Sequence, residues 1–200
     1  ATISEAIKIR SHSRDCEIFT LNGFDYLKSN LYREHNITPI INNILEAQKF
    51  IEIFNKTQKV AIQLNTGMNR LGLDKQSLLK NIDIVKSLPL NLILSHLACA
   101  DETSNKENKA QKDLFIKLCK FLPNIRQSIS ASHGTLLGTE FHFDMVRPGI
   151  GLYGGIRKNG LKEVIQIKVP VLQDFIIDKG MQVGYNFTYK AKHKIKVATL

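Results

Sequence analysis

The sequence predicts an α/β fold, in which a parallel sheet flanked by helices is followed by antiparallel strands. Three observations support this prediction. Short apolar runs alternate with amphipathic segments as far as Gly155, at intervals of roughly 30 residues that are typical of parallel βα units. Beyond Gly155, short apolar runs are separated by turns without a helix-length segment, which indicates antiparallel strands. The 200 residues are 43% hydrophobic and 23% charged, which is a globular composition.

Helices are expected where apolar residues recur every three or four positions, because that spacing lines one face of an α-helix. The clearest example is residues 43–56, in which Ile44, Ala47 and Ile51 fall on one stripe. The predicted helices are residues 4–12, 24–35, 43–56, 75–87 and 105–121.

Short apolar runs between these helices are the predicted strands. They are Ile18–Leu21, Pro39–Ile41, Val60–Leu64, Leu90–Leu94, residues 128–132 and residues 144–153. Because strands and helices alternate, the residues predict either a parallel barrel or a doubly wound sheet.

The last part of the chain is predicted to be a separate β domain. Its strands are expected in VIQIKVPVLQ (164–173), FIID (175–178), MQVGY (181–185) and KIKVATL (194–200). We place the domain boundary near residues 156–162, so that residues 1–157 form the helix-containing domain and residues 158–200 begin the β domain.

Several classes of protein are excluded by composition. No apolar run approaches the roughly 18 residues that a membrane span needs. The first residues lack Met and have no signal-peptide pattern. Cys16, Cys99 and Cys119 include no Cys-x-x-Cys pair, which argues against a disulfide framework or a zinc site and favours reduced thiols in the cytoplasm. We therefore expect no metal.

The formal net charge of +10 is concentrated near the end of the chain. Residues 157–200 hold nine Lys or Arg and three Asp or Glu, a difference of six. The peak is Lys190, Lys192, Lys194 and Lys196, and on a strand this alternate spacing would place every lysine on one face. A solvated sheet face explains this pattern better than polyanion binding, since stacking aromatics are sparse there. We expect neither a nucleic-acid nor a membrane partner.

Two polar motifs follow predicted strands, where parallel α/β enzymes build their sites. LNTGMNRLGL (64–73) offers Arg70 as a planar donor for a phosphate, carboxylate or phenolate oxygen. SHLACADE (95–102) offers His96 as an acid or base, a metal ligand or a stacking partner. The alternative for Arg70 is a solvent-facing side chain in a polar turn, and the alternative for His96 is a purely structural role.

Two further motifs have the character of anion sites. SASHGT (130–135) places Ser132 and Gly134 after a strand, where a hydroxyl and backbone amides can receive a phosphate. In DMVRPGIGLYGG (144–155), Arg147 precedes a glycine-rich turn that can expose backbone amides to a ligand. Alternatively, this turn is only an interdomain connection. A Ser132–His133 catalytic pair is not expected, because neighbours on a strand point to opposite faces. Together the four motifs predict an anionic, phosphorylated ligand.

These motifs resemble those of alanine racemases, pyridoxal-phosphate enzymes built from a (β/α)8 barrel and a C-terminal β domain. The segments that carry the resemblance are LNTGMNRLGL, SHLACADE, LLGTEFHFDMVRPGIGLYGG and VGYNFTYKA, in the family's order. The resemblance implies a partial TIM-type barrel followed by the start of an antiparallel β domain. It also implies interconversion of L- and D-alanine for peptidoglycan, pyridoxal 5'-phosphate as cofactor, and a homodimer.

The resemblance also implies roles for individual residues around the cofactor ring. Arg147 matches the arginine that faces the pyridine nitrogen, where its permanent charge disfavours protonation of that nitrogen. His96 matches the histidine packed against the ring and bonded to that arginine. Arg70 matches the arginine that reaches the phenolic oxygen.

The phosphate and substrate sides are matched in the same way. Ser132, with the backbone amides of Gly149 and Ile150, matches the phosphate cup. Gln63 and Met68 correspond to positions on the substrate side.

The sequence departs from the family's pattern at four positions. Asn65 stands where most relatives have aspartate, and Gln63 where many have a carbamylated lysine that holds Arg70. Gln63 can still bond that arginine, without the negative charge. Ala131 and His133 replace the residues that flank the phosphate-binding serine, and His133 is bulkier than its counterpart.

The two proton-transfer bases of the family are expected outside these 200 residues. The resemblance places the Schiff-base lysine upstream, in a segment like VKANAYGHG, and no lysine before Lys59 has that context. It places the tyrosine downstream, after a strand of the form TIPIGY. An alternative hypothesis is a non-catalytic product of a split or decayed racemase gene that binds phosphorylated small molecules.

We therefore expect the 200-residue chain by itself to show no racemase activity, because the mechanism needs a base on each face of the cofactor. A coupled assay for D-alanine formed from L-alanine measures this directly. Turnover by the isolated chain would contradict the placement of both bases elsewhere.

Overall fold

The structure, a computed structural model, describes residues 2–156 and 160–200. It contains two compact units, one ending at Leu161 and the other formed by Lys162–Leu200. The boundary predicted between residues 157 and 158 lies outside the described residues. The predicted α/β fold class is confirmed, because the first unit holds a parallel sheet and the second holds antiparallel strands.

The first unit is built on a curled sheet of five parallel strands, in which spatial order follows chain order. Each strand pairs in parallel with the next one along the chain. This is the arrangement of a partial barrel, in which successive βα units add strands at one edge. The strands are β1 (Ile18–Thr20), β2 (Ile37–Ile41), β3 (Val60–Gln63), β4 (Leu90–Leu94) and β5 (Arg126–Ser128).

Helices connect these strands, and polar side chains fix where several of them begin. Thr2, Asn43, Asp74 and Asn105 each accept a backbone amide in the first turn of the helix that follows. Such caps satisfy amides that have no partner within the helix. The helices are α1 (Ile3–His12), α2 (Ser29–Glu34), α3 (Ile44–Phe54), α4 (Lys75–Lys80), α5 (Ile82–Ser87), α6 (Lys106–Cys119) and α7 (Ser132–Thr135).

The sheet is buried on both faces by two hydrophobic clusters. Ile41, Ile62 and Ile93 belong to the larger cluster, which includes helix residues such as Phe50 and Phe115. The residues that precede these three isoleucines point to the other face and form the smaller cluster with Leu94. Strands covered on both faces are continuously apolar, which explains why β2, β3 and β4 were recognisable in the sequence.

An ion pair links the amino ends of the first and last strands of the sheet. Arg126 Nη1 and Nη2 donate to the two carboxylate oxygens of Glu17, at 2.8 and 2.7 Å. Arg126 Nε donates to the carbonyl oxygen of Asn91, at 3.2 Å. The Arg126 and Glu17 side chains are 44% and 51% exposed, so the pair links the two strands but adds little to the free energy of unfolding.

Two predicted helices are interrupted. Residues 24–35 form a 3-10 turn, Tyr26–Lys28, and then α2, because Lys28 leaves helical dihedral angles. Residues 75–87 form α4 and α5 with a break at Asn81. The side-chain amide of Asn81 donates from Nδ2 to the carbonyl oxygen of Ser77 at 2.9 Å. By such local bonds an asparagine side chain competes with the hydrogen bonds of the helical backbone.

Two predicted strands near the site were wrongly placed. The strand predicted at 128–132 ends at Ser128, and Ser132 begins helix α7 instead. The strand predicted at 144–153 is an irregular segment that contributes one isolated bridge, between Arg147 and Ala131, and ends in the 3-10 turn Ile150–Tyr153. Pro148 has no amide hydrogen for a strand ladder, which limits pairing beyond that bridge.

The second unit contains two antiparallel pairs of strands. They are β6 (Gln173–Ile177) with β9 (Ile195–Thr199), and β7 (Gln182–Val183) with β8 (Tyr189–Lys190). The predicted strand at 164–173 is not formed except at Gln173. The prediction that four lysines share one strand face is also wrong, because a bend at Lys192 separates β8 from β9. Lys194 and Lys196 instead pair with Asp178 and Asp174.

In the described residues, the helices are too short or too polar to cross a membrane.

Phe50→Ala should destabilise the first unit strongly. Its ring is fully buried, with the centroids of Phe24 and Phe54 at 5.3 and 4.9 Å. Removing a buried ring and leaving a cavity costs about 3–5 kcal/mol. Urea denaturation measures the loss, and Leu45→Ala is the control on the same helix because Leu45 is 75% exposed. Equal midpoints for the two variants would contradict the packing described here.

Candidate active site

Two adjoining cavities lie at the carboxyl ends of the parallel strands. The larger has a volume of about 440 Å³ and the second about 350 Å³, and both are lined by His96 and Arg147. Gln63 and Arg70 line the second cavity. The structure therefore brings all eight predicted site residues to one region. Those that line the larger cavity are Met68, His96, Ser132, Arg147, Gly149 and Ile150.

A hydroxyl and two backbone amides converge on one side of the larger cavity. The Ser132 Oγ atom accepts hydrogen bonds from the amides of Gly149 and Gly151, at 2.8 and 3.0 Å. A Cβ atom on Gly151 would lie 3.4 Å from that oxygen, whereas one on Gly149 would meet open space. Amides that converge at the start of a turn form a cradle for an anion.

One member of this cradle was missed by the sequence prediction. The resemblance implied Gly149 and Ile150, and Ile150 does line the cavity. The second amide that points at Ser132 belongs to Gly151. The Gly-Ile-Gly spacing was visible in the sequence, but the 3-10 turn that aims the second glycine was not.

The guanidinium group of Arg147 is fixed between the ends of two strands. Nη2 donates to the carbonyl oxygen of Ser95, directly after β4, at 2.6 Å. Nη1 donates to Oγ of Ser128, the last residue of β5, and that hydroxyl donates to the carbonyl oxygen of Met145 at 2.6 Å. Burial lowers the pKa of Arg147 to about 10, so the group remains protonated at neutral pH. Neither serine was predicted, because their roles depend on the alignment of neighbouring strands.

The imidazole of His96 lies in the field of two arginines. Burial, and then the charges of Arg147 and Arg70, lower the pKa of His96 to about 4. The ring is therefore neutral at physiological pH, and it can pack against a ligand or accept a hydrogen bond. The resemblance implied a bond from His96 to Arg147. Within the described residues the guanidinium hydrogen bonds of Arg147 go to Ser95 and Ser128 instead.

The loop that carries Arg70 is shaped by an asparagine. The Asn65 Oδ1 atom accepts the amides of Gly67 and Asn69, at 3.1 and 3.0 Å. This is an Asx-type turn, which requires a side-chain oxygen but no negative charge. Asn65 can therefore accept the same backbone amides that an aspartate at this position would accept.

Gln63 holds the same loop through its backbone. Its buried side chain donates to the carbonyl oxygen of Leu71, the residue after Arg70, at 3.4 Å. The predicted bond from Gln63 to the Arg70 guanidinium is not formed within the described residues, and the Arg70 side chain is exposed. Position 72 requires glycine, because its φ is +101° and a Cβ atom there would lie 2.8 Å from the Gln63 carbonyl oxygen.

His133 lines the larger cavity beside Ser132. Both residues lie in helix α7, so the strand argument used to separate their side chains does not apply. In residues 2–156 and 160–200, no three His, Cys, Asp or Glu side chains are grouped as a metal ion would require.

Comparison with known proteins identifies relatives of the whole chain. Residues 1–157 match the family described as alanine racemase, N-terminal domain. An alanine racemase of Rickettsia akari is 35% identical over 210 residues, which cover 100% of this chain and 58% of that protein. An alanine racemase of Rickettsia rickettsii is 36% identical with the same coverage. The chain thus spans about 58% of the length of these relatives.

Solved structures give the same result for the fold. The crystal structure of alanine racemase from Bartonella henselae with covalently bound pyridoxal phosphate has a TM-score of 0.80 and 33% identity. It covers 99% of this chain and 58% of that one. The biosynthetic alanine racemase from Pseudomonas aeruginosa has a TM-score of 0.82 and 25% identity, with the same coverage.

His96 should make the free energy of unfolding depend on pH. Because its pKa falls from 6.5 to about 4 on folding, the unfolded chain takes up a proton that the folded chain excludes as the pH drops through this window. Stability should therefore decrease by up to about 3 kcal/mol between neutral pH and pH 4.

Urea unfolding at pH 7 and pH 4.5 measures this dependence. His96→Gln should reduce it, whereas His12→Gln, at an exposed position on α1, should leave it as in the parent protein. An unchanged pH dependence in His96→Gln would show that the folded state does not exclude this proton.

Proposed function

This chain belongs to the alanine racemase family, and on that basis we propose that the whole protein interconverts L- and D-alanine with pyridoxal 5'-phosphate. One observation carries the proposal. The Ser132 cradle lines the same cavity as Arg147 and His96, so this cavity offers partners for a phosphate together with a cation and a flat, neutral ring. Since the chain spans 58% of its relatives' length, the activity is proposed for the whole protein.

The residues present fit this cofactor. The hydroxyl of Ser132 and the amides of Gly149, Ile150 and Gly151 would hold the phosphate. The open space where a Cβ atom of residue 149 would lie leaves room for a ligand beside this turn. When bound, pyridoxal phosphate supplies the electron sink that makes removal of the α-proton of alanine feasible.

Arg147 would limit the strength of that sink. It stays protonated, with a pKa of about 10, and Ser95 and Ser128 fix its orientation. Placed beside the pyridine nitrogen, as the family resemblance implies, this permanent cation would disfavour protonation of that nitrogen and weaken the electron sink. A weakened sink would suit racemisation better than transamination.

The remaining residues of the two cavities would orient the cofactor and substrate. We assign His96 to packing against the cofactor ring, which suits an imidazole that stays neutral at pH 7. Arg70 would reach the phenolic oxygen, while Gln63 and Met68 would lie on the substrate side. Gln63 contributes by holding the backbone beside Arg70.

The wider biological assignment follows from the same family membership. We propose a lysine and a tyrosine of the whole protein as its two bases, a homodimer as its assembly, and D-alanine supply for peptidoglycan in the cytoplasm as its role. Residues 1–157 would be the cofactor-binding barrel part, and residues 158–200 the beginning of the β domain.

The full-length protein tests the activity directly. We expect it to convert L-alanine to D-alanine in the presence of pyridoxal phosphate, as measured by a coupled assay or by loss of optical rotation. Cofactor binding without conversion of either enantiomer would contradict the proposed activity and favour a non-catalytic binder of phosphorylated small molecules.

Ser132→Ala in the full-length protein should raise the Kd for pyridoxal phosphate about 10-fold, because a hydrogen bond to a charged group contributes on the order of 1.5 kcal/mol or more. Fluorescence or absorbance titration gives the Kd. Ser130→Ala is the matched control, since this buried hydroxyl donates to the carbonyl oxygen of Phe141 at 2.7 Å. Equal affinities for Ser132→Ala and the parent protein would exclude the cradle as the phosphate site.

A further inference from the structure

Gln111 on helix α6 lies behind the larger cavity and bonds the loop that carries His96. Its Oε1 atom accepts the amide of Ala98, at 2.8 Å. Its Nε2 atom donates to the carbonyl oxygen of His96 at 3.1 Å and to Oγ1 of Thr66 at 3.3 Å. The side chain is only 3% exposed, so one amide serves three partners out of contact with water.

The same hydrogen bonds continue to Arg147. The hydroxyl groups of Thr66 and Ser95 are bonded to each other at 2.8 Å, and Ser95 Oγ donates to the carbonyl oxygen of Leu64 at 2.7 Å. The carbonyl oxygen of Ser95 accepts Nη2 of Arg147. Gln111 is therefore connected, through buried groups, to the residues proposed to face the ring and nitrogen of the cofactor.

Helix α6 also holds the segment that leads to Arg147. The ammonium group of Lys112 lies 4.3 Å from the centroid of the Phe141 ring. Phe115 and Phe143 pack edge to face, with centroids 5.3 Å apart. Helix α6 thus contacts both the loop that carries His96 and the segment that leads to Arg147.

We propose that Gln111 is a positioning residue that fixes His96 and Arg147 in the orientation required for cofactor binding, an inference that rests on the proposed function. A buried amide satisfied at both ends is costly to rearrange, because each group left without a partner remains desolvated. Only a side chain with both a donor and an acceptor can bond the Ala98 amide and the His96 carbonyl together. Gln111 thereby fixes the backbone dihedral angles between the His96 carbonyl and the Ala98 amide.

The test compares Gln111→Leu with Asn108→Ala in the full-length protein. Asn108 lies one turn earlier on the same helix, is also 3% exposed, and donates to the carbonyl oxygen of Glu102 at 2.9 Å. Both variants lose a buried amide, but only Gln111 bonds His96 and Ala98, whereas Asn108 bonds the far end of the same loop, at Glu102. Gln111→Leu should raise the Kd for pyridoxal phosphate about 10-fold, the low end of what the loss of a hydrogen bond that orients a ligating side chain costs at metal sites, while Asn108→Ala should leave the Kd at the parent value.

Thermal melts of both variants separate positioning from folding. A loss of affinity in Gln111→Leu that exceeds that in Asn108→Ala, at similar melting temperatures, supports the proposal. Equal loss of affinity in the two variants, or none in Gln111→Leu, overturns it. Should Gln111→Leu fail to fold, Gln111→Glu keeps an acceptor for the Ala98 amide but loses the donor to His96 and Thr66, so its Kd should also rise above the parent value. Parent-like affinity in that variant would also overturn the proposal.

A second measurement needs no cofactor and separates this inference from the proposed function. The pKa of His96, about 4 in the parent protein, is followed by NMR titration of its ring protons. The charged or titratable groups around it are Arg70 and Arg147, with Asp101 and His133 on the cavity wall. Loosening of the loop in Gln111→Leu should hydrate the ring and raise its pKa towards 6.5, whereas Asn108→Ala should not.

An unchanged His96 titration in Gln111→Leu overturns the positioning role even if the protein racemises alanine. Conversely, a parent protein that fails to bind pyridoxal phosphate refutes the proposed function, while a shifted His96 titration still supports positioning by Gln111.

Discussion

The site depends on the way that Arg147 joins the ends of two neighbouring strands. Ser128 lies opposite Leu94 in the parallel register of β4 and β5, and the amide of Ser95 donates to the carbonyl oxygen of Ser128 at 2.9 Å. This alignment puts a carbonyl oxygen and a hydroxyl within reach of one guanidinium. The backbone amide of Arg147 is fixed in turn by the carbonyl oxygen of Ser130, at 2.9 Å. The side chain and the main chain of Arg147 are thus both fixed, and the amides of Gly149 and Gly151, which follow it, bond to Ser132.

Electrostatics in the two cavities follow from the same arrangement. Arg147 and Arg70 contribute positive charge, whereas His96 stays neutral because burial and both arginines oppose its protonation. The departures from the family's pattern at Asn65 and Gln63 keep the hydrogen bonds that shape the Arg70 loop and supply no negative charge. The region is therefore more attractive to an anionic ligand than one in which a carboxylate or carbamate occupies these positions.

The sequence could predict those parts of the fold that depend on local pattern. Strand β4 has the predicted bounds because Leu90–Leu94 is apolar and lies between two amphipathic segments. Motifs at strand ends also indicated His96 and Arg70, since parallel strands place their carboxyl ends together, and a glycine-rich turn indicated Arg147. Predictions failed where one residue overrides the pattern, as Asn81 does within the predicted helix 75–87. Gln111 could not be found at all, because its partners lie 13 to 45 residues away in sequence.

The pair formed by Glu17 and Arg126 makes the two ends of the sheet respond differently to their surroundings. At the amino ends, the first and last strands are linked by two opposite charges that are about half exposed, and dissolved ions weaken such an attraction. At the carboxyl ends, the contacts of Arg147 are to uncharged oxygens and are partly buried. A rise in ionic strength therefore weakens the Glu17–Arg126 link, on the side away from the cavities, and leaves the hydrogen bonds of Arg147 nearly unchanged.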